Sequence, residues 1–110
     1  MAQTAGNQLT NVTTTAATTV VSSPAASTRR IVTRLFVFND DGSSENVRID
    51  VRKASTDYGI YQNTALAADT GVNVITDGRP IVLAATDESI RITLGSSGDV
   101  DIVACYVDET

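Results

Sequence analysis

Apolar and polar residues alternate with a period of two in several stretches of the chain. In residues 46–54 (NVRIDVRKA), valine and isoleucine alternate with charged residues, which predicts a half-buried strand with one solvated face. The same pattern predicts strands in residues 89–95 (SIRITLG) and 99–107 (DVDIVACYV). Residues 18–23 (TTVVSS), 29–39 (RRIVTRLFVFN) and 80–86 (PIVLAAT) are further predicted strands. No segment carries apolar residues at helical spacing, so the pattern indicates an all-β chain.

Clusters of Asp, Gly and Ser separate these stretches and predict turns. Residues 39–45 (NDDGSSE) predict a hairpin turn, and residues 95–98 (GSSG) a second tight turn. Residues 55–77 lack a clear pattern and are predicted to form a loop with a short strand near residues 58–61. Seven or eight short strands joined in this way are typical of an antiparallel β-sandwich with a jelly-roll-like arrangement, in which two sheets enclose one core.

The N-terminal quarter of the chain has a different composition. Residues 2–28 contain no charged side chain and are rich in threonine, which favours extended backbone. We predict an extended, uncharged N-terminal arm over residues 1–28, followed by a β-sandwich domain over residues 29–110. Such an arm is suited to adding to a sheet edge of a neighbouring subunit through backbone hydrogen bonds. The alternative for residues 1–10 is a disordered tail, because the segment buries little apolar surface by itself.

Length and charge exclude several classes of protein. A chain of 110 residues forms about one domain. The 13 acidic and 8 basic residues give a net charge of −5, which argues against nucleic acid and against anionic membrane surfaces as partners. No apolar run approaches the roughly 20 residues that span a bilayer, and the N-terminus lacks the pattern of a secretory signal.

The inventory of reactive side chains predicts that the protein is not an enzyme. There is no histidine, so the usual general base at neutral pH is missing, and Cys105 is the only cysteine. Asp40, Asp41 and Glu45 raise the alternative of a calcium site, but their spacing lacks the alternating ligands of such a loop, and a turn explains them better. We predict no catalytic residues, no cofactor and no metal ligands.

Both phenylalanines lie at alternate positions of one predicted strand. If Leu35 and Val37 face the core, then Arg34, Phe36 and Phe38 face the other way. Paired exposed aromatic rings are typical of an interface. The alternatives are the opposite register, or coverage of the rings by residues 55–77 of the same subunit. The candidate interface residues are Val12, Val20 and Val21 in the arm, Arg34, Phe36 and Phe38 in this strand, and Tyr58 and Tyr61 in the predicted loop.

The order of these features resembles the small β-sandwich virion structural proteins of tailed bacteriophages. The resemblance covers about residues 12–108, most clearly residues 18–43 (TTVVSSPAASTRRIVTRLFVFNDDGS), 45–54 (ENVRIDVRKA) and 78–107 (GRPIVLAATDESIRITLGSSGDVDIVACYV). It consists of an uncharged Thr/Ala/Ser lead, a strand that ends in a Val-x-Asn turn, an alternating strand and a last strand after a Gly/Ser turn. Residues 55–77 depart from the shorter loops of that family.

The resemblance implies a capsid decoration (cement) protein that bridges and stabilises capsid subunits. It implies a homo-oligomer, expected to be a trimer, that binds the major capsid protein or other virion proteins. The expected location is the capsid surface of a virion, after synthesis in the host cytoplasm. The alternative is a component of the tail, baseplate or fibre, acting as a receptor- or glycan-binding β-sandwich module.

Overall fold

The protein is a sandwich of two antiparallel sheets in a computed structural model that describes residues 2–76 and 78–110. The strands are β1 (Gln3–Val12), β2 (Thr18–Val21), β3 (Arg29–Asn39), β4 (Glu45–Lys53), β5 (Thr56–Leu66), β6 (Thr70–Asn73), β7 (Ile81–Leu83), β8 (Glu88–Leu94) and β9 (Val100–Glu109). The five-stranded sheet has the order β1-β9-β3-β6, with β7 also paired to β3, and the four-stranded sheet has the order β2-β8-β4-β5. These elements confirm the predicted all-β sandwich. Within the two described ranges, no helix has the length and apolarity needed to cross a bilayer.

Aliphatic side chains fill the space between the two sheets. Leu35 and Val37 point inward from β3, which is one of the two registers that the sequence left open, and both are fully buried. Complete burial of one such side chain contributes roughly 1.5–3 kcal/mol. The core consists of Val12, Val20, Val21, Val32, Leu35, Val37, Val47, Ile49, Leu66, Leu83, Ile90, Ile92, Leu94, Val100, Ile102 and Ala104.

The N-terminal segment contributes one strand to each sheet of its own chain. β1 pairs with β9 over ten residues without a register shift, and β2 pairs with β8. Val12, Val20 and Val21, which the sequence analysis placed among the interface residues, lie instead in the core, with exposures of 2%, 0% and 0%. The structure therefore has two strands in place of the predicted arm or the alternative tail. The backbone of β1 and β2 forms its hydrogen bonds with strands β9 and β8 of the same chain.

The two predicted turns connect different sheets. Because β3 and β9 belong to the five-stranded sheet and β4 and β8 to the other, residues 39–45 do not form the predicted hairpin. The Nδ2 of Asn39, a fully buried residue, donates hydrogen bonds to the carbonyls of Ser43 and Leu66 at 2.9 Å each. Glu45, 3% exposed, accepts a hydrogen bond from the backbone N–H of Ser96 at 3.1 Å. Two buried polar side chains thus hold the crossings in place.

Residues 55–77 contain more strand than the sequence predicted. β5 runs for 11 residues along the edge of the four-stranded sheet, and β6 pairs with β3. Most residues of β5 are exposed and only Leu66 is buried in the core, so the strand shows little alternation of buried and exposed positions. The prediction of a loop is wrong here, while the expected short strand near residues 58–61 lies within β5; Asp77 lies outside the described residues.

Candidate functional site: the outer face of the five-stranded sheet

A β-bulge in β3 determines which side chains reach the outer face of the five-stranded sheet. Val32 pairs with Tyr106 and Arg34 pairs with Cys105, so Thr33 is an extra residue on β3. On the C-terminal side of the bulge, Phe36 and Phe38 point away from the buried side chains, because Leu35 and Val37 point inward. On the N-terminal side the alternation is reversed, and Val32 is buried while Ile31 lies on the outer side. The bulge therefore adds Ile31 to the same surface as Phe36.

Apolar side chains form two rows across this surface. Directly paired residues of antiparallel strands share a face of the sheet, so the strand register identifies the rows. One row consists of Leu9, Val103 and Phe36, and the other of Ala5, Val107, Ile31 and Val82. We call these seven residues the outer apolar face. Leu9 is 69% exposed and Val82 is 42% exposed, so the face leaves apolar surface in water.

Phe36 is partly covered by its own subunit. Its ring rests on Gly71 of β6, where an added Cβ would lie 2.4 Å from the Phe36 Cζ atom. The guanidinium carbon of Arg34 lies 5.7 Å from the centre of the same ring. Phe36 and Phe38 are accordingly half-buried. The alternative in which residues 55–77 cover the phenylalanine rings therefore holds in part, because Gly71 of that segment covers Phe36.

Tyr58 and Tyr61 lie away from the outer apolar face. Both belong to β5 in the four-stranded sheet, where Tyr58 pairs with Val51 and Tyr61 with Ile49. Tyr58 is 56% exposed. Tyr61 is half-buried, and its hydroxyl accepts a hydrogen bond from the Nδ2 of Asn63 at 3.2 Å. The structure thus brings Arg34, Phe36 and Phe38 together and separates the tyrosines from them.

A cluster of carboxylates borders one end of the outer apolar face. Carboxylate oxygens of Asp40, Asp99 and Asp101 lie within 4.8 Å of one another. The Nδ2 of Asn11 donates hydrogen bonds to Asp99 at 2.6 Å and to Asp101 at 2.7 Å. Loss of hydration, and then repulsion by Asp99, Asp101 and Asp69, raises the pKa of Asp40 above its ordinary value. The end of the face nearest this cluster therefore carries concentrated negative charge.

An ion pair borders the opposite end. Arg29 donates hydrogen bonds to the carboxylate of Glu109, and the Nε2 of Gln3 donates another at 2.7 Å. These bonds, first that from Arg29 and then that from Gln3, lower the pKa of Glu109. The Glu109 charge is compensated by Arg29, in contrast to the clustered aspartates.

Asp40→Asn is expected to stabilise the protein at neutral pH. The pKa of Asp40 is raised in the folded state, so stability falls as the pH rises from the unfolded-state pKa through the folded-state pKa and stays lower above it. The uncharged amide removes this repulsion, and the advantage of the variant should disappear below the unfolded-state pKa of about 4, where the wild-type carboxyl is protonated in both states. Melting temperatures measured from pH 3 to pH 7 test this. An advantage for Asp40→Asn that stays constant across that range would contradict the assigned repulsion.

Cys105 lies between the two apolar rows. It pairs with Asn7 on one side and with Arg34 on the other, and its thiol is free and half-buried. The structure places the thiol on the outer side of β9, since the neighbouring Ala104 is buried on the inner side. The reactivity of the Cys105 thiol therefore shows whether a partner molecule covers this face.

Sequence reasoning missed most of the outer apolar face. Val103 lies between the buried Ile102 and Ala104 of β9, and Val107 lies four positions further on the same face, so the strand pattern carried a signal for both. Leu9 was assigned to the arm, for which a partner strand was expected only on a neighbouring subunit. Ile31 reaches the face only because of the bulge at Thr33. The outer apolar face therefore depends on pairing between strands that are distant in the sequence more than on any local motif.

Comparisons with known proteins identify the fold. No protein-family model matches the chain, and no curated protein matches it in sequence. A chain of Bacillus endospore appendages, described as a novel family of disulfide-linked pili, aligns with a TM-score of 0.60 at 9% identity, covering 99% of this chain and 87% of the pilus chain. The Drosophila NLP core, described for pentamer formation and histone binding, aligns with a TM-score of 0.53 at 11% identity over 92% of this chain and 96% of its own.

A viral protein shares the fold as well. A chain of the cyanophage Pam1 capsid asymmetric unit aligns with a TM-score of 0.50 at 15% identity, covering 96% of this chain and 83% of the capsid chain. At these identities the likeness shows a common β-sandwich architecture.

Proposed function

We propose that the protein is a non-enzymatic structural protein of a virion, a capsid decoration protein that bridges and stabilises capsid subunits. The outer apolar face carries this proposal. A soluble subunit gains by burying such a patch against another protein, and exposed apolar patches mark interaction sites. The fold likeness to a cyanophage capsid chain and to a pilus chain supports the proposal by analogy, since both proteins belong to assemblies.

The contrast between the two outer faces supports the choice of surface. The outer side of the four-stranded sheet carries charged side chains, with Arg48 opposite Thr93 and Asp50 opposite Arg91. Arg48 donates a hydrogen bond from Nε to Asp50 at 2.8 Å, so this face contains an ion pair of its own. The outer apolar face has no comparable set of ion pairs between its rows in the described residues. Association therefore favours the five-stranded sheet.

The partners that we propose are further copies of this chain and other virion proteins, with the major capsid protein first among them. Each copy contributes several weak contacts, and repeated contacts act together to hold a shell. A trimer is the oligomer that the sequence resemblance implies. The candidate contacts on this face are Arg34, Phe36 and Phe38, joined by the exposed Leu9 and Val82.

Val82→Glu is expected to weaken self-association by about a hundredfold, because an unpaired carboxylate in a desolvated contact costs about 3 kcal/mol. Its effect on the free energy of unfolding should stay within about 0.5 kcal/mol, since Val82 is exposed in the subunit. Sedimentation velocity over a concentration series measures the association, and thermal melting measures the stability.

Ile60→Glu is the matched control for this experiment. Ile60 is 38% exposed, close to the 42% of Val82, and lies on β5 in the other sheet. We expect this variant to associate like the wild type. Equal association of wild type, Val82→Glu and Ile60→Glu would contradict the proposed surface, and loss of association only in Ile60→Glu would move the contact to β5.

The second candidate function is a tail, baseplate or fibre component with a receptor- or glycan-binding role. The exposed ring of Tyr58, close to Tyr61 on the edge strand β5, favours it, because flat aromatic rings bind sugars. Counting copies per purified particle by quantitative mass spectrometry separates the two functions. Many copies spread over the head are expected for a decoration protein, and a few copies confined to the tail would favour the second function.

A further inference from the structure

The free edge of β1 lacks the features that normally prevent strands from pairing between molecules. Exposed edges are usually protected by charges, proline, bulges or short length. β1 is ten residues long, and its sequence QTAGNQLTNV contains neither a charged residue nor proline. Its register with β9 is unbroken over all ten pairs. In the described part of the chain, β1 ends the order of the five-stranded sheet, so its second edge has no neighbouring strand.

The backbone polar groups on this edge are arranged for an antiparallel partner. The backbone N–H of Thr110 donates to the carbonyl of Ala2 at 3.1 Å, so Ala2 points its polar groups toward β9. Backbone groups of successive residues in an antiparallel strand point to alternate sides. The residues that point their N–H and C=O groups to the free edge are therefore Gln3, Ala5, Asn7, Leu9 and Asn11, and all five are exposed.

We propose that β1 pairs with β1 of a second copy of this chain in an antiparallel, two-fold symmetric contact centred on Asn7. This inference rests on the proposed self-association and names a two-fold contact, which is distinct from the three-fold contacts within a trimer. With Asn7 opposite Asn7 of the second copy, Leu9 faces Ala5 and Gln3 faces Asn11. Each of the five outward-pointing residues then meets another outward-pointing residue, so every pair forms two hydrogen bonds. The two five-stranded sheets become one continuous sheet.

The side chains agree with this register. Residues that point to the free edge also carry their side chains on the outer side of the sheet, where Leu9 is 69% exposed. Pairing places the Leu9 side chain beside Ala5 of the second copy, so the outer apolar faces of both copies become continuous. No like charges oppose each other across the two-fold axis, because β1 is uncharged.

The other edge strands are poorer partners for β1. β5 carries Asp57, and its pairing with β4 has two register shifts, which twist the strand. At the other edge of the four-stranded sheet, β2 has four residues, and at the far edge of the five-stranded sheet β6 has four residues and β7 has three. A second copy of β1 is therefore the partner that offers a straight, uncharged edge of equal length.

A charge-swap experiment tests the contact. Asn7→Lys places two lysines opposite each other across the axis, and Asn7→Asp places two aspartates there, so each variant alone should dimerise about fivefold more weakly than the wild type. A mixture of the two variants should recover at least the wild-type affinity in sedimentation velocity, because lysine then faces aspartate. Thermal melting of each variant should match the wild type, since Asn7 is exposed on the outer side of an edge strand.

A cysteine cross-link provides an independent measurement. The variant Asn7→Cys is made together with Cys105→Ser, because Cys105 pairs with Asn7 within the subunit. A hydrogen-bonded antiparallel pair has a Cα–Cα distance of about 5.5 Å, which suits a disulfide. We expect rapid formation of a disulfide-linked dimer, and much slower cross-linking when the cysteine replaces Asn11, which faces Gln3.

The outcomes separate this inference from the proposed function. Restored dimerisation in the mixture, with cross-linking at residue 7, supports the contact whether or not Val82→Glu weakens association. Unchanged association of Asn7→Lys and Asn7→Asp overturns it, and so does failure of the mixture to recover. Cross-linking at residue 11 faster than at residue 7 overturns the register. If only Val82→Glu weakens association, the face mediates assembly without the β1 edge.

Discussion

A chain that lacks residues 2–22 is expected not to fold. The deletion removes β1 and β2 and with them the buried side chains of Val12, Val20 and Val21. Each of these contributes roughly 1.5–3 kcal/mol of burial. Their sum approaches the total stability of a small domain, about 5–15 kcal/mol. The deletion also leaves β9 without its partner β1 on one edge.

Circular dichroism during heating measures the effect of this deletion. The full-length chain should melt cooperatively, and the truncated chain should show no cooperative transition. A synthetic peptide of residues 2–22 supplied in trans should restore the transition. This control shows that folding is lost because the two strands are missing and not because of nonspecific damage to the chain. A truncated chain that melts cooperatively near the wild-type temperature would mean that the segment is an arm outside the core.

Asn39→Leu is expected to cost about 2–5 kcal/mol of stability, because it leaves buried backbone carbonyls without a donor at about 1–3 kcal/mol each. The Asn39 Nδ2 group donates to Ser43, Leu66 and Ala67, and its Oδ1 accepts from the N–H of Asp41 at 3.1 Å. Leucine has a similar volume and can make none of these bonds. The crossing from β3 to β4 should therefore loosen.

Urea unfolding measures this loss, with Asn46→Leu as the control. Asn46 lies seven positions further on, at the start of β4, and is exposed, so its replacement should change stability by no more than about 0.5 kcal/mol. The melting temperature of Asn39→Leu should fall by roughly 10–20 °C. Equal stability of the two variants would contradict the role of Asn39 in holding the crossing.

The parts of the fold that could be predicted are the strands with one solvent-exposed and one buried face. In β4 and β8, valine, isoleucine and leucine alternate with arginine, aspartate and threonine, and these two strands supply five of the 16 core residues. The period of two reflects burial on one side, so the sequence carried enough information. β3 was predicted with the bounds that the structure has, since its apolar run ends at a turn cluster.

The parts that could not be predicted depend on pairing between distant residues. β1 is a strand because β9 supplies hydrogen bonds about a hundred residues away, and its own side chains show little pattern. Most of β5 is exposed, and its sequence also shows little pattern. The bulge at Thr33 places the Ile31 side chain on the outer face of the sheet, and no glycine in the sequence marks the position of the bulge. The local sequence carries no information about pairing between distant strands or about the bulge. Only part of the candidate site could therefore be predicted.

The rate at which a soluble maleimide modifies Cys105 tests the central claim, that copies of this chain assemble through the outer apolar face. The free thiol of Cys105 lies between the two apolar rows, so any partner that covers both rows also covers the thiol. In the assembled wild type, modification should be slow, and in Val82→Glu at the same concentration it should be at least tenfold faster. Equal rates for the two proteins, with the wild type assembled, would contradict assembly through this face.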